Sequence, residues 1–204
     1  QDVSNSVGQI TAVLLGSKNL AKLTKIGGAD SLRMADGKVA DIRVVIAEGM
    51  KAKLPKDFPI KPSKETVKST FMTENYGQGR KGLLRNIQKD FGVTKQEAET
   101  FLKAYDEAFN GIAPEMKELA SRLKESFLKS DGVVKYDMPD GFPVRFQVKK
   151  KLDGSYSIKG ENNPIKIETN SIDDFSTGIL PNVIQSADSF IARYMNKHGI
   201  VSKH

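Results

Sequence analysis

The sequence predicts an α+β fold, a mostly helical lobe that carries β-hairpins. Three observations predict it. Apolar residues recur at helical spacing in successive blocks up to Leu128. Strand-like alternation begins after Gly132, where Val144, Phe146 and Val148 fall on one face. A final helical block near the end leaves short α/β segments at both ends, so the lobe, about residues 20–130, reads as an insertion between two pieces of one small domain. The chain of 204 residues with 38% hydrophobic content suffices for one core, or for one core plus a lobe.

The elements follow in order. Ile10, Val13, Leu14, Leu20 and Leu23 predict a helix over 8–23, interrupted at Gly16. "IGGAD" at 26–30 is a break. Val39, Ile42, Val45, Ile46 and Met50 fit the 3.6-residue period between Lys38 and Leu54, although "RVVI" is also compatible with a strand. Three prolines in "LPKDFPIKP" force an extended connector.

Ser63, an N-cap residue, opens a helix that should close at Gly77, followed by "GQGRKG" as a flexible basic turn. "TKQE" at 94–97 is a capping box. Behind it, Ala98, Phe101, Leu102, Tyr105, Ala108 and Phe109 share one face. "NGIAP" ends that helix, and Pro114 opens another, to Leu128, burying Met116, Leu119, Ala120, Leu123 and Phe127. The two should pack as a helical hairpin. Pro139, Asp140 and Gly141 make a turn between two strand-like runs, and "SYSIKGENNPIKIET" predicts a second hairpin. A last helix opens at Pro181, presents Val183, Ile184, Ala187, Ile191 and Met195, and stops at Gly199; "GIVS" then resembles the start of a strand.

Composition narrows the function classes. No apolar run approaches the ~20 residues of a membrane-spanning helix, so no membrane partner is expected. The start lacks Met and a basic segment before an apolar one, and reads as a cut into a longer chain rather than a signal peptide. With no cysteine there is no disulfide or thiolate metal site, and the two histidines, His198 and His204, do not make a zinc centre. A net charge of +7, from 32 Lys and Arg against 25 Asp and Glu, favours polyanions such as nucleic acid or nucleotides.

The chemistry gathers in "KETVKSTFMTENYG", residues 64–77. At 100° per residue, Lys64 and Lys68 lie about 40° apart and Tyr76 about 80° beyond Lys68, within roughly 18 Å of axis. Two ammonium groups one turn apart can hold the oxygens of a triphosphate, and a phenol two turns on would meet the sugar of the same nucleotide. Gly77 lets a base or strand approach the backbone. In a basic chain, a Lys pair at this spacing is also an ordinary solvated face, and Tyr76 can equally be a helix-end core residue. Asp2, before a polar turn and a helix, suits either an N-cap or a magnesium ligand.

Taken together, these segments resemble the single-subunit DNA-directed RNA polymerases of bacteriophages and mitochondria. "KETVKSTFMTENYG" resembles the family's fingers-helix motif. "DVSNSVGQITA" is similar to its first palm motif, and "GFPV" at 141–144 and "GILPNVIQSADS" at 178–189 follow in the family's order. The "MT..YG" form favours RNA polymerases over the related DNA polymerases. The resemblance implies a palm piece at 1–19, fingers at 20–185 including the motif helix 63–77, and a second palm piece at 186–204.

It also implies roles. Asp2, with the Val3 carbonyl, would hold catalytic Mg²⁺. Lys68 would grip the incoming triphosphate and protonate the leaving pyrophosphate. Lys64 stands where the family usually has Arg, keeping the charge without the bidentate fork. Tyr76 would sense the ribose 2′-hydroxyl and stack at the active-site base position, with Gly77 beside the substrate. Gln185 stands where family members often have His near the primer end or minor groove. The family's second metal-binding Asp follows a segment resembling "KHGIVS", and none is present up to His204. The expectation is therefore a catalytic-core fragment, inactive alone, working with NTPs, a DNA template, nascent RNA and the remaining polymerase segments or a second subunit, in the cytoplasm (the host's if phage-encoded). Three alternatives stay open: a fragment of a related DNA polymerase, a non-catalytic nucleic-acid-binding module, and a basic helical scaffold.

Overall fold

A computed structural model of the chain describes residues 6–35, 37–147, 154–156, 165–167 and 178–199. Among the described residues the fold is α+β, with helices predominating over two small antiparallel hairpins. Helices α1 (Ser6–Leu15) and α2 (Lys18–Leu23) form the block predicted over 8–23, broken at Gly16 as the sequence requires. The Ser17 hydroxyl caps α2 and donates 3.0 Å to Glu115 Oε1, tying this end to a distant helix.

Helix α3 (Ile42–Lys51) is shorter at both ends than the 38–54 period suggested, and "RVVI" is helical. Its start is fixed by Asp41, whose carboxylate accepts the Arg43 N–H at 3.0 Å. The proline connector folds inward, burying Phe58 and Ile60. Helix α4 (Lys64–Asn75) opens on a capping box in which Ser63 and Thr66 satisfy each other's backbone N–H groups. The expected basic turn 77–82 is only half a turn: Arg80, Lys81 and Gly82 already belong to α5 (Arg80–Phe91), which closes at Gly92. Helix α6 (Lys95–Ile112) starts at the Thr94–Glu97 capping box and runs through Asn110 and Gly111, so the break expected within "NGIAP" falls at its fourth residue, Ala113. Helix α7 (Pro114–Lys129) follows immediately.

Strands β1 (Val133–Asp137) and β2 (Pro143–Gln147) pair antiparallel, Val133 opposite Gln147 and Tyr136 opposite Val144. The turn between them is closed by Gly141 N–H to Met138 O at 2.8 Å. The backbones of β3 (Gly154–Tyr156) and β4 (Ile165–Ile167) form the second hairpin. Helix α8 (Ile179–Lys197) begins two residues before Pro181 and crosses 185–186 without a break. Of its predicted inward residues Ile184 is fully buried, whereas Ile191 is exposed. The strand expected from Ile200 and the side chain of Val148 lie outside the described residues.

One core joins the helices. Leu20, Ile46, Met50, Val67, Phe71, Phe101, Tyr105 and Phe109 have essentially no exposed surface. Each of these aliphatic, Met and Phe side chains stabilises the fold by roughly 1.5–3 kcal/mol relative to exposure. Phe71 of α4 meets Phe109 of α6 edge-on, with ring centroids 5.8 Å apart. Helix α3 lies against both α4 and α6. It approaches α6 closely because Gly49 has no side chain: a Cβ there would lie 3.2 Å from that of Ala108. The core therefore fixes the buried face of α4, leaving its other face toward solvent.

Candidate functional site

Helix α4 buries Val67, Thr70, Phe71 and Asn75. At 100° per residue these span about 140° of the helix; Lys64 falls within that arc at the helix start, Lys68 stands at its edge about 20° beyond Asn75, and Tyr76, the C-cap, lies about 80° further round. Lys68 is exposed and makes no ion pair among the described residues. Tyr76 is 43% exposed. Lys68 and Tyr76 are thus both open to solvent, about 80° apart around the helix and roughly 12 Å apart along it, whereas Lys64 is half-buried.

Lys64 is differently placed. Its Nζ lies 3.2 Å from Asp41 Oδ2. Asp41 is buried, and Arg43 donates to it from Nε at 2.8 Å and from Nη2 at 2.6 Å. Burial alone would raise the Asp41 carboxyl; the Arg43 hydrogen bonds and charge, with Lys64, outweigh it and hold the group at about 2. Lys64 therefore completes an ion cluster at the junction of α3 and α4, and part of its charge is already answered.

The end of α4 is rigidly built. Gly77, at φ +85°, donates to Glu74 O at 2.9 Å, and Gln78 donates to Thr73 O at 3.0 Å. This crossed pair of bonds needs a left-handed residue at Gly77, and it holds Tyr76 at the helix end. Below it lies a cleft of about 240 Å³, between Glu74, Gly77 and Gln78 on one side and Ser121, Lys124 and Ile179 on the other.

A charged network that the sequence did not reveal supports this end. Glu74 Oε1 lies 3.9 Å from Lys117 Nζ, which lies 3.7 Å from Asp106 Oδ1; Arg80 Nη1 meets Asp106 Oδ2 at 2.7 Å. The Lys117 ammonium also sits 5.5 Å from the Phe109 ring centroid. Among the described residues neither Glu74 Oε2 nor the Tyr105 hydroxyl has a hydrogen-bond partner of normal geometry, yet each is close enough to perturb the other's titration. Burial raises the Glu74 carboxyl, against the lowering pull of Tyr105 and Lys117. Burial and the facing Glu74 charge push the Tyr105 phenol well up. Tyr105, Asp106 and Lys117 are 31 to 43 positions from Glu74 in the chain, and no local motif signals them.

The magnesium expectation rests on Asp2 and Val3, which lie outside the described residues. Among the described residues no three or more His, Cys, Asp or Glu side chains are grouped to hold a metal ion. What α4 presents is cationic and phenolic, a donor set suited to phosphate and ribose oxygens rather than to a metal. Gln185 is exposed on α8 and lines a separate cleft against the first hairpin. No helix among the described residues is long and apolar enough to cross a membrane.

Compared with known proteins, the chain matches no family model, and no curated protein matches it in sequence.

Proposed function

We propose that the chain is part of a DNA-directed RNA polymerase of the single-subunit type, and that α4 receives the incoming nucleoside triphosphate. The observation that carries this reading is the presence of an exposed Lys68, without an ion pair among the described residues, and an exposed Tyr76 on one helix whose sequence resembles the family's fingers motif. In this reading Lys68 grips the triphosphate and donates a proton to the departing pyrophosphate. Tyr76, fixed by the Gly77 turn, meets the ribose. Lys64 adds a looser contact, since it must share its charge with Asp41. Bound magnesium, assigned by resemblance to Asp2 and Val3, supplies charge neutralisation on the phosphates. Loss of a phosphate-binding lysine would cost several kcal/mol of transition-state stabilisation, on the order found for single preorganised donors.

The test is a calorimetric titration of the chain with Mg·ATP. Saturable binding that Lys68→Ala weakens at least tenfold supports the reading; no binding, or binding indifferent to Lys68, overturns it.

A second reading is favoured by the Lys64–Asp41 pair, which spends on the fold a charge that phosphate binding would use. It is a non-catalytic nucleic-acid-binding module, which would bind DNA with a steep salt dependence and no response to Mg²⁺ or to Asp2→Ala.

A further inference from the structure

Two enclosed polar atoms meet beneath the end of α4. The Tyr105 side chain of α6 has no exposed surface, and neither its hydroxyl nor Glu74 Oε2 finds a hydrogen-bond partner of normal geometry among the described residues. They nevertheless stand close enough for each to act on the other's titration. An ionised carboxylate only accepts, and a phenol donates one proton. A protonated Glu74 donates as well, so the neutral pair can close a hydrogen bond in either sense without a buried charge.

The cations around Glu74 answer an ionised carboxylate poorly where it stands. Lys117 Nζ of α7 lies 3.9 Å from Oε1, beyond hydrogen-bonding length, and is shared with Asp106 Oδ1 of α6 at 3.7 Å. Arg80 of α5 is engaged by the same Asp106, at 2.7 Å. The cleft of about 240 Å³ offers the charge another place. Glu74 lines it, with Gln78, Ser121 and Lys124 on its walls, and α8 contributes the uncharged Ile179 and Leu180. The Glu74 side chain is 23% exposed, so rotation about its own bonds carries the carboxylate from Tyr105 toward that space.

The backbone here is built to respond. Three bonds close the last turn of α4: Tyr76 N–H to Met72 O at 3.0 Å, Gly77 N–H to Glu74 O at 2.9 Å and Gln78 N–H to Thr73 O at 3.0 Å. Gly77, at φ +85°, ends the helix immediately after them. The neighbouring Asn75 donates to Phe71 O of its own helix, at 2.7 Å, and does not tie the turn to another element by that bond. Glu74 does, through Tyr105 of α6 and Lys117 of α7.

We infer that Glu74 and Tyr105 form a proton-operated latch: with the carboxyl protonated the last turn of α4 is held against α6, and on ionisation the side chain swings into the cleft and the turn carrying Tyr76 loosens about Gly77. Burial raises the Glu74 carboxyl above its ordinary 4.5. The latch is therefore closed below the raised value and opens as pH rises through it. This device belongs to the scaffold of α4 and does not rest on nucleotide binding there.

The test is carbon-13 NMR of the Glu74 carboxyl in the unmodified, nucleotide-free chain between about pH 4 and pH 8, with hydrogen exchange of the Tyr76, Gly77 and Gln78 amides corrected for the intrinsic rate. The carboxyl should titrate above 4.5. Protection of the three amides should fall about tenfold through the same midpoint, while amides of α6 hold theirs. Glu74→Gln keeps a donor for Tyr105 and cannot ionise, so its three amides should stay protected throughout. A Glu74 midpoint at or below 4.5, exchange that ignores the midpoint, or the same pH step in Glu74→Gln would overturn the inference. The first two are read on the unmodified chain and do not depend on whether a variant folds. Because no nucleotide is present, a failure to bind Mg·ATP would sink the polymerase reading and not this one.

Discussion

The Nζ of Lys64 lies 3.2 Å from Asp41 Oδ2, on a carboxylate that Arg43 already grips with two donors. The start of the candidate nucleotide-binding helix is thereby joined to the start of α3 through a buried charge. Asp41→Asn should cost about 3 kcal/mol at neutral pH, because it removes the buried carboxylate that Arg43 and Lys64 both contact. The sign with pH follows from a folded value lowered from 3.8 to about 2. This stabilisation, roughly 2 kcal/mol, is complete above pH 3.8 and is lost as pH falls through about 2. Urea midpoints of both proteins at several pH values check it: the gap should narrow in acid.

Because Lys64 is held by Asp41 and Lys68 is not, the two lysines should differ in function. Lys68→Ala should weaken Mg·ATP binding more than Lys64→Ala does. In stability the order reverses: Lys68→Ala, at an exposed position, should change it by less than about 0.5 kcal/mol. Calorimetric affinities and thermal melts of the two variants measure both orders.

Tyr76 is exposed at the end of α4, so removing its hydroxyl should not disturb the fold. If the phenol meets the ribose, the chain prefers ATP to dATP and Tyr76→Phe reduces that preference. Competition titrations with the two nucleotides decide this. A preference untouched by Tyr76→Phe favours the DNA polymerase alternative.

The Glu74 carboxyl is raised by burial despite Tyr105 and Lys117. A raised folded value means that its contribution to stability is present below the ordinary value of 4.5 and is lost as pH rises through the raised one. Glu74→Gln cannot lose it. The stability of Glu74→Gln relative to the parent should therefore increase from pH 4 to pH 7, measured by urea unfolding; parallel pH profiles would contradict the assignment.

Much of this architecture was legible in the sequence because it is local. Ser63 and Gly77 bound α4 through side-chain capping and a left-handed turn, and Pro139 to Gly141 set the hairpin. Helix α5 is hard to read from the sequence because two glycines precede or enter it and its buried face is thin, Leu83 and Ile87 being its buried residues. Asn110 and Gly111 look like a break, but the packing of α6 carries the helix past them. The exposed edge of α4 follows from the position of Phe71 and could be read from periodicity. The Asp41–Lys64 and Glu74–Lys117 pairs could not, since they depend on how α3, α4 and α7 meet.

The central claim is that the Lys68–Tyr76 side of α4 faces a bound nucleoside triphosphate. Photolabelling of the chain with 8-azido-ATP and Mg²⁺, followed by peptide mapping, tests it most directly. The account predicts a label within residues 64–77 that unmodified ATP protects and Lys68→Ala abolishes. Labelling elsewhere, or labelling of this peptide that persists in Lys68→Ala, would contradict it.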